Sequence, residues 1–197
     1  MIYDDTCRGR GLRPGLTHSW VSGALMYRAL GWLDLAQGAT SWEQALGWLA
    51  SVEPTREISE IQFWGHGKWG QAMIDRNVLD AGALEPSHTL HTHLAAIRER
   101  LVGPHALWWF RTCETFGAEA GHDFAQRWTS FFNCRAAGHT FIIGPLQSGL
   151  HCLAPGERPN WPLTEGLAKG TPAQPLEALW SSSKAPNTIT CLQSRLP

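Results

Sequence analysis

Two short segments carry residue types that could do covalent chemistry. The first is Phe63-Trp64-Gly65-His66-Gly67, an imidazole set between two glycines at the end of an apolar stretch. The glycines permit a sharp turn and let a substrate backbone approach the ring closely. The second is Trp109-Phe110-Arg111-Thr112-Cys113-Glu114-Thr115, a thiol that also follows an apolar stretch and shortly precedes a helical pattern. A helix N-terminus and a neighbouring imidazole both favour a thiolate. A cysteine and a histidine from separate strand ends are the minimum for nucleophilic acyl transfer: the thiolate attacks a carbonyl and the imidazolium protonates the leaving amine.

The elements that must position these residues follow from periodicity. Met1–Asp5 reads as a short first strand, and Ser19 or Thr17 as the cap of a helix through Trp20, Leu25 and Leu30. Gly31–Ala36 reads as a second strand. Thr40-Ser41-Trp42-Glu43 opens a second helix with Trp42, Ala45, Leu46 and Leu49 on one face. Ile58–Gly65 is a strand, Lys68–Leu79 a hairpin or extended arm, and His88–Leu101 a helix stopped by Gly103-Pro104. Ala106–Phe110 is a continuous apolar run, the pattern of a strand buried on both faces. Glu119–Phe132 is helical, and Gly138–Ile143 the next strand. The alternation predicts an α/β fold, a mostly parallel sheet in three layers with helices on both faces. Working residues in such sheets lie beyond the carboxyl ends of the strands, where His66 and Cys113 fall. Residues 1–155 form the domain. Residues 156–197, rich in Pro, Gly and Ser, belong to the same domain and supply a last strand near 188–192.

Composition narrows the function classes. The chain has 197 residues, with 16 Lys+Arg against 17 Asp+Glu and a formal charge of -1. That balance gives no electrostatic footprint for nucleic acid. No apolar run reaches the roughly 18 residues of a membrane span. The start of the chain has no apolar signal region, so a cytoplasmic location is expected. The cysteines at 7, 113, 134, 152 and 191 form no metal spacing and read as reduced thiols. His88, His91 and His93 read as a solvated helix start rather than a zinc site. Neither metal nor cofactor is expected.

The Gly65-His66-Gly67 motif, the Thr112-Cys113-Glu114-Thr115 segment followed by Gly117 and Gly121-His-Asp-Phe-Ala125, and their order along the chain resemble the caspase-like cysteine peptidases. The motifs are most similar to the bacterial CHAT branch. His66 precedes Cys113 by 47 positions, against about 50 in caspases. The caspase pattern Gln-Ala-Cys-x-Gly is not met, because Arg111-Thr112 precede the cysteine and Glu114 follows it. The resemblance implies a caspase-like topology and an endopeptidase with Cys113 as nucleophile and His66 as general acid. It also implies an oxyanion hole from the backbone N–H groups of Gly67 and Cys113. The substrate would be a peptide or protein, and a regulatory protein partner is a further expectation, since bacterial relatives act as regulated effectors in defence or programmed death. A catalytically inactive caspase-like interaction module is the alternative.

The specificity residues rest on separate arguments. Arg111, two positions before Cys113, shares its strand face and would favour an acidic P1 residue through a bidentate pair; a solvated strand-end arginine is the simpler alternative. Asp75 and Asp123 are the counter-candidates, favouring a basic P1 residue. Trp69 and Trp161 are candidates for aromatic substrate contacts.

Overall fold

The computed structural model describes residues 1–10 and 13–185. The chain runs β1 (Ile2–Asp4), a two-rung hairpin β2 (Gly9–Arg10) and β3 (Arg13–Pro14), α1 (Leu16–Ala29), β4 (Gln37–Ala39) and α2 (Trp42–Ser51). Then come β5 (Glu60–Trp64), β6 (His66–Lys68), β7 (Gln71–Ile74), β8 (Asn77–Leu79), α3 (His91–Arg98), β9 (Leu107–Arg111) and α4 (Ala118–Phe132). The last elements are β10 (Arg135–His139), β11 (Leu150–Leu153), β12 (Leu167–Gly170) and β13 (Pro175–Ala178).

Six strands form one sheet in the order β11-β10-β9-β5-β1-β4. All neighbours are parallel except β10 and β11. The fold is therefore α/β with a mostly parallel sheet, as the alternation of elements predicts.

Period-two alternation sorts the strand side chains onto two faces. Ile61, Phe63, Trp108 and Phe110 join the large core with residues of α2, α3 and α4. Trp64 points the other way, to Met1 and to Ala24, Trp20 and Tyr27 of α1. Helices thus cover both faces. The large core is aromatic: Trp108 meets Trp128 edge-on at 4.9 Å, and Phe110 meets Phe124 at 5.1 Å. Truncating a fully buried Trp108 or Phe110 to Ala would cost roughly 3–5 kcal/mol.

Several boundaries differ from the sequence reading. Gly31–Ala36 is not a strand. Gly31 turns with φ +70 after α1, and the edge strand begins only at Gln37. Helix α1 starts at Leu16 with Gly15 as its cap, because the Thr17 hydroxyl donates to the Asp4 carbonyl at 2.9 Å instead of capping. The strand expected over Gly138–Ile143 is Arg135–His139. Asn133, left-handed at φ 47, ends α4 and returns the chain to the sheet at once. The Lys68–Leu79 arm is an antiparallel three-stranded sheet, β6-β7-β8. Beyond Gly156, β12 and β13 pair as a hairpin, and the strand expected near 188–192 lies outside the described residues.

Candidate active site at the strand ends

β5 and β9 are parallel neighbours, with Trp64 opposite Arg111. Each chain leaves the sheet after that pair, one through Gly65-His66 and the other through Thr112-Cys113. The glycines are required by packing. A Cβ on Gly65 would sit 2.4 Å from the Phe63 ring. One on Gly67 would lie 2.2 Å from Thr115 Oγ1 and 2.7 Å from the Cys113 carbonyl oxygen. The backbone of Gly67 therefore lies directly against the turn that carries Cys113.

That turn is braced on all sides. The Thr112 and Thr115 hydroxyls are 2.6 Å apart, and Thr115 Oγ1 donates to the Gln71 carbonyl of β7 at 3.0 Å. Glu114 is left-handed at φ 43 and donates its N–H to the Phe141 carbonyl at 3.0 Å. Phe116 N–H bonds the His139 carbonyl at 2.9 Å, and α4 begins immediately afterwards. The Cys113 N–H has no acceptor among the described residues. It is available to a developing oxyanion. The half-buried Cys113 sulfur faces the Ile143 carbonyl at 3.9 Å. Burial and the neighbouring Glu114 charge push its thiol above the ordinary range. Glu114 itself is 8% exposed, and its Oε2 is buried without a partner. Burial raises that carboxyl too, against the pull of Lys68.

His66 has a different thiol partner. Its Nε2 lies 3.3 Å from the sulfur of Cys7, and its ring meets Trp20 edge-on at 6.0 Å. No hydrogen bond joins His66 to Cys113 among the described residues. Behind Cys7 stands Asp4, fully buried at the end of β1. Its Oδ1 accepts from the Thr6 N–H at 2.8 Å and the Thr6 hydroxyl at 2.6 Å. Its Oδ2 lies 3.7 Å from the Cys7 sulfur and accepts from the Asp75 N–H at 3.3 Å. Burial first, and then the Asp4 carboxylate, raise the Cys7 thiol. A thiol facing a carboxylate is poorly suited to be a nucleophile.

The other expected residues separate. Arg111 stacks between Trp64 and Trp109, at 4.1 and 4.7 Å from the ring centroids, and donates to the Tyr27 hydroxyl at 3.1 Å. No carboxylate pairs with it among the described residues. Trp69 is half-buried beside Gly117, ahead of α4, with Lys68 over its ring. Asp75 is left-handed at φ 50 in the β7–β8 turn, near Cys7. Asp123 faces solvent on α4, 3.9 Å from Arg127. Trp161 is not a surface aromatic: it is 5% exposed, donates to the Phe116 carbonyl at 3.0 Å, and stacks on Phe116 and His151. His91 and His93 bond separate partners, the Leu84 carbonyl and Glu43.

Sequence reasoning missed Asp4, Cys7 and Trp20 as neighbours of His66. The available signal was the short first strand ending in carboxylates. In a parallel sheet its carboxyl end opens on the same side as those of β5 and β9, and β1 is the direct neighbour of β5.

No protein-family model matches this chain, and neither a curated protein nor a solved structure matches it.

Proposed function

We propose that this chain is a thiol hydrolase of the caspase-like type, a cysteine endopeptidase with Cys113 as nucleophile and His66 as its acid–base partner. The observation that carries the reading is the packing of Gly67 against the Cys113 turn at the carboxyl ends of adjacent parallel strands. The strands that lead to His66 and Cys113 lie side by side in the parallel part of the sheet, which supports the reading.

The Cys113 sulfur attacks the peptide carbonyl carbon, and the oxyanion accepts hydrogen bonds from the Cys113 and Gly67 N–H groups. Such donors contribute about 3–4 kcal/mol of transition-state stabilisation. His66 turns from Cys7, takes the thiol proton and delivers it to the leaving amine. Water, activated by the same imidazole, then hydrolyses the thioester. A substrate with an acidic P1 side chain would find in Arg111 a guanidinium held by two indoles and unpaired with any described carboxylate. The raised thiol of Cys113 fits an enzyme that rests in a low-activity state until a regulatory protein or the substrate draws His66 across. The location we propose is a reducing cytoplasm, and no described helix is long and apolar enough to cross a membrane.

A second reading, an inactive interaction module on the same scaffold, is favoured by one observation: Cys7, not Cys113, holds His66. Cleavage of a peptide library with varied P1 residues, by the wild type and by Cys113→Ala and His66→Ala, separates the two. Cleavage that either substitution abolishes supports the hydrolase. Cleavage that survives Cys113→Ala overturns the assignment of Cys113 as nucleophile, and absence of cleavage from all three proteins, both alone and with any partner they capture, favours the module.

A further inference from the structure

Asp4, Cys7 and His66 offer three ligand atoms of different chemistry, all within 4.8 Å of one another. We propose that they form a binding site for a single zinc-type divalent ion, with the fourth position left to water or a small ligand.

The geometry fits that ion. Tetrahedral zinc takes sulfur at about 2.3 Å and imidazole nitrogen or carboxylate oxygen at about 2.0–2.2 Å, so ligand atoms around it stand roughly 3.5 Å apart. Here sulfur to Nε2 is 3.3 Å and sulfur to Asp4 Oδ2 is 3.7 Å. The ligand set is one thiolate, one imidazole and one carboxylate, which suits zinc or cobalt and not the oxygen-only preference of calcium or magnesium.

The surroundings point the same way. Asp4 is fully buried, and no cationic side chain forms an ion pair with it among the described residues. A lone buried carboxylate is costly unless a cation or several donors compensate it. Neutral donors hold both oxygens, the Thr6 N–H and hydroxyl on Oδ1 and the Asp75 N–H on Oδ2, and Oδ2 also faces the Cys7 sulfur at 3.7 Å. This is the support that a ligating carboxylate ordinarily receives from the residues behind it. The Asp4 Oδ2 atom stands 3.7 Å from the Cys7 sulfur and the sulfur 3.3 Å from His66 Nε2, so a dication between them would meet all three groups at once. Asp4 ends β1, Cys7 follows in the loop before β2, and His66 opens β6 just beyond β5, the strand hydrogen-bonded to β1, so the two neighbouring strand ends bring the three residues together.

The site stands independently of the hydrolase reading. Its consequence for hydrolysis rests on that reading: an ion on His66 Nε2 takes the lone pair that proton transfer needs, and would hold the enzyme off.

Cobalt(II) titration of the purified full chain tests the site without reference to activity. A sulfur-to-cobalt charge-transfer band should grow to saturation at one ion per chain and vanish when zinc is added. Cys7→Ser should abolish the band, and Cys113→Ser should leave it intact. Asp4→Asn should weaken cobalt binding at least tenfold, the scale on which even supporting residues act. If Asp4→Asn does not fold, His66→Ala carries the same expectation. Zinc should raise the melting temperature of the wild type and not of Cys7→Ser. Absence of a band in the folded wild type, a band that survives Cys7→Ser, or one that depends on Cys113 would each overturn the proposal.

Discussion

The Nε2 of His66 lies 3.3 Å from the sulfur of Cys7, whereas the sulfur of Cys113 faces the carbonyl of Ile143 at 3.9 Å. The imidazole is thus bonded to the thiol that a buried carboxylate makes the poorer nucleophile. Burial raises both thiols. In the isolated chain neither should label quickly near neutral pH, and the rate for Cys113 should rise with an apparent pKa above the ordinary value of about 8.5. Site-resolved iodoacetamide labelling against pH, read by mass spectrometry, checks this. An acidic-P1 aldehyde or a bound partner should bring His66 to Cys113 and protect or activate that thiol selectively. A Cys113 that labels with an apparent pKa below 7 would mean the dyad is already formed at rest.

Arg111 makes a second prediction. Its guanidinium is immobilised by Trp64, Trp109 and the Tyr27 hydroxyl, so little side-chain entropy remains to be lost on binding a carboxylate. A hydrogen bond to a charged group contributes about 1.5–3 kcal/mol. Arg111→Gln should therefore lower kcat/KM for acidic P1 substrates roughly ten- to hundredfold and leave P1 alanine substrates little changed. Equal losses on both substrates would assign Arg111 to packing alone.

Gly67 tests whether the His66 and Cys113 segments work as one unit. In Gly67→Ala the new methyl meets the Cys113 carbonyl and Thr115 Oγ1, and such overpacking costs typically about 1–3 kcal/mol. The melting temperature should drop by several degrees, at about 2–4 °C per kcal/mol for a chain of this size. Cleavage should fall much further than the loss of folded protein explains. Gly144→Ala is the control, because nothing lies within 4 Å of a Cβ there. A Gly67→Ala protein with unchanged melting and cleavage would show that the two segments are not in register.

The parts of this arrangement that sequence reveals are those written as continuous patterns. Leu107–Arg111 is apolar at four successive positions because both faces of β9 are buried, and glycines flank His66 because Phe63 and the Cys113 turn leave no room for a side chain. Asp4 and Cys7 were not legible as partners of His66. β1 is only three residues long, too short for a period, and its contact with His66 depends on which strand lies beside β5. Trp161 misled for a similar reason. Its Pro-rich neighbours read as a surface loop, yet the indole is drawn inward by Phe116 and His151 from elements distant in sequence. The strand expected over Gly138–Ile143 overruns β10 because Phe141, Ile142 and Ile143 are apolar past the end of pairing at His139. Those residues continue into the loop that brings the Phe141 carbonyl to Glu114.

His139 yields a prediction about acid stability. It is fully buried at the end of β10, donates from Nδ1 to the Ser148 carbonyl at 3.1 Å, and leaves Nε2 buried and unpartnered. Burial, aided by the nearby Arg111 and His151 charges, pushes its pKa down to about 4. In the unfolded chain the same group titrates near 6.5. Above that pH it is neutral in both states and contributes no pH dependence. As pH falls from 6.5 towards 4 the unfolded chain takes up a proton that the folded chain refuses, so stability is lost, by about 3 kcal/mol in all. His139→Asn keeps a donor for Ser148 but cannot titrate. Its absolute stability should be lower because a smaller side chain fills the site, yet its stability should decline less between pH 6.5 and 4 than that of the wild type. Urea unfolding across that range, compared between the two proteins, measures the difference; parallel curves would mean that His139 is accessible to protons in the folded state.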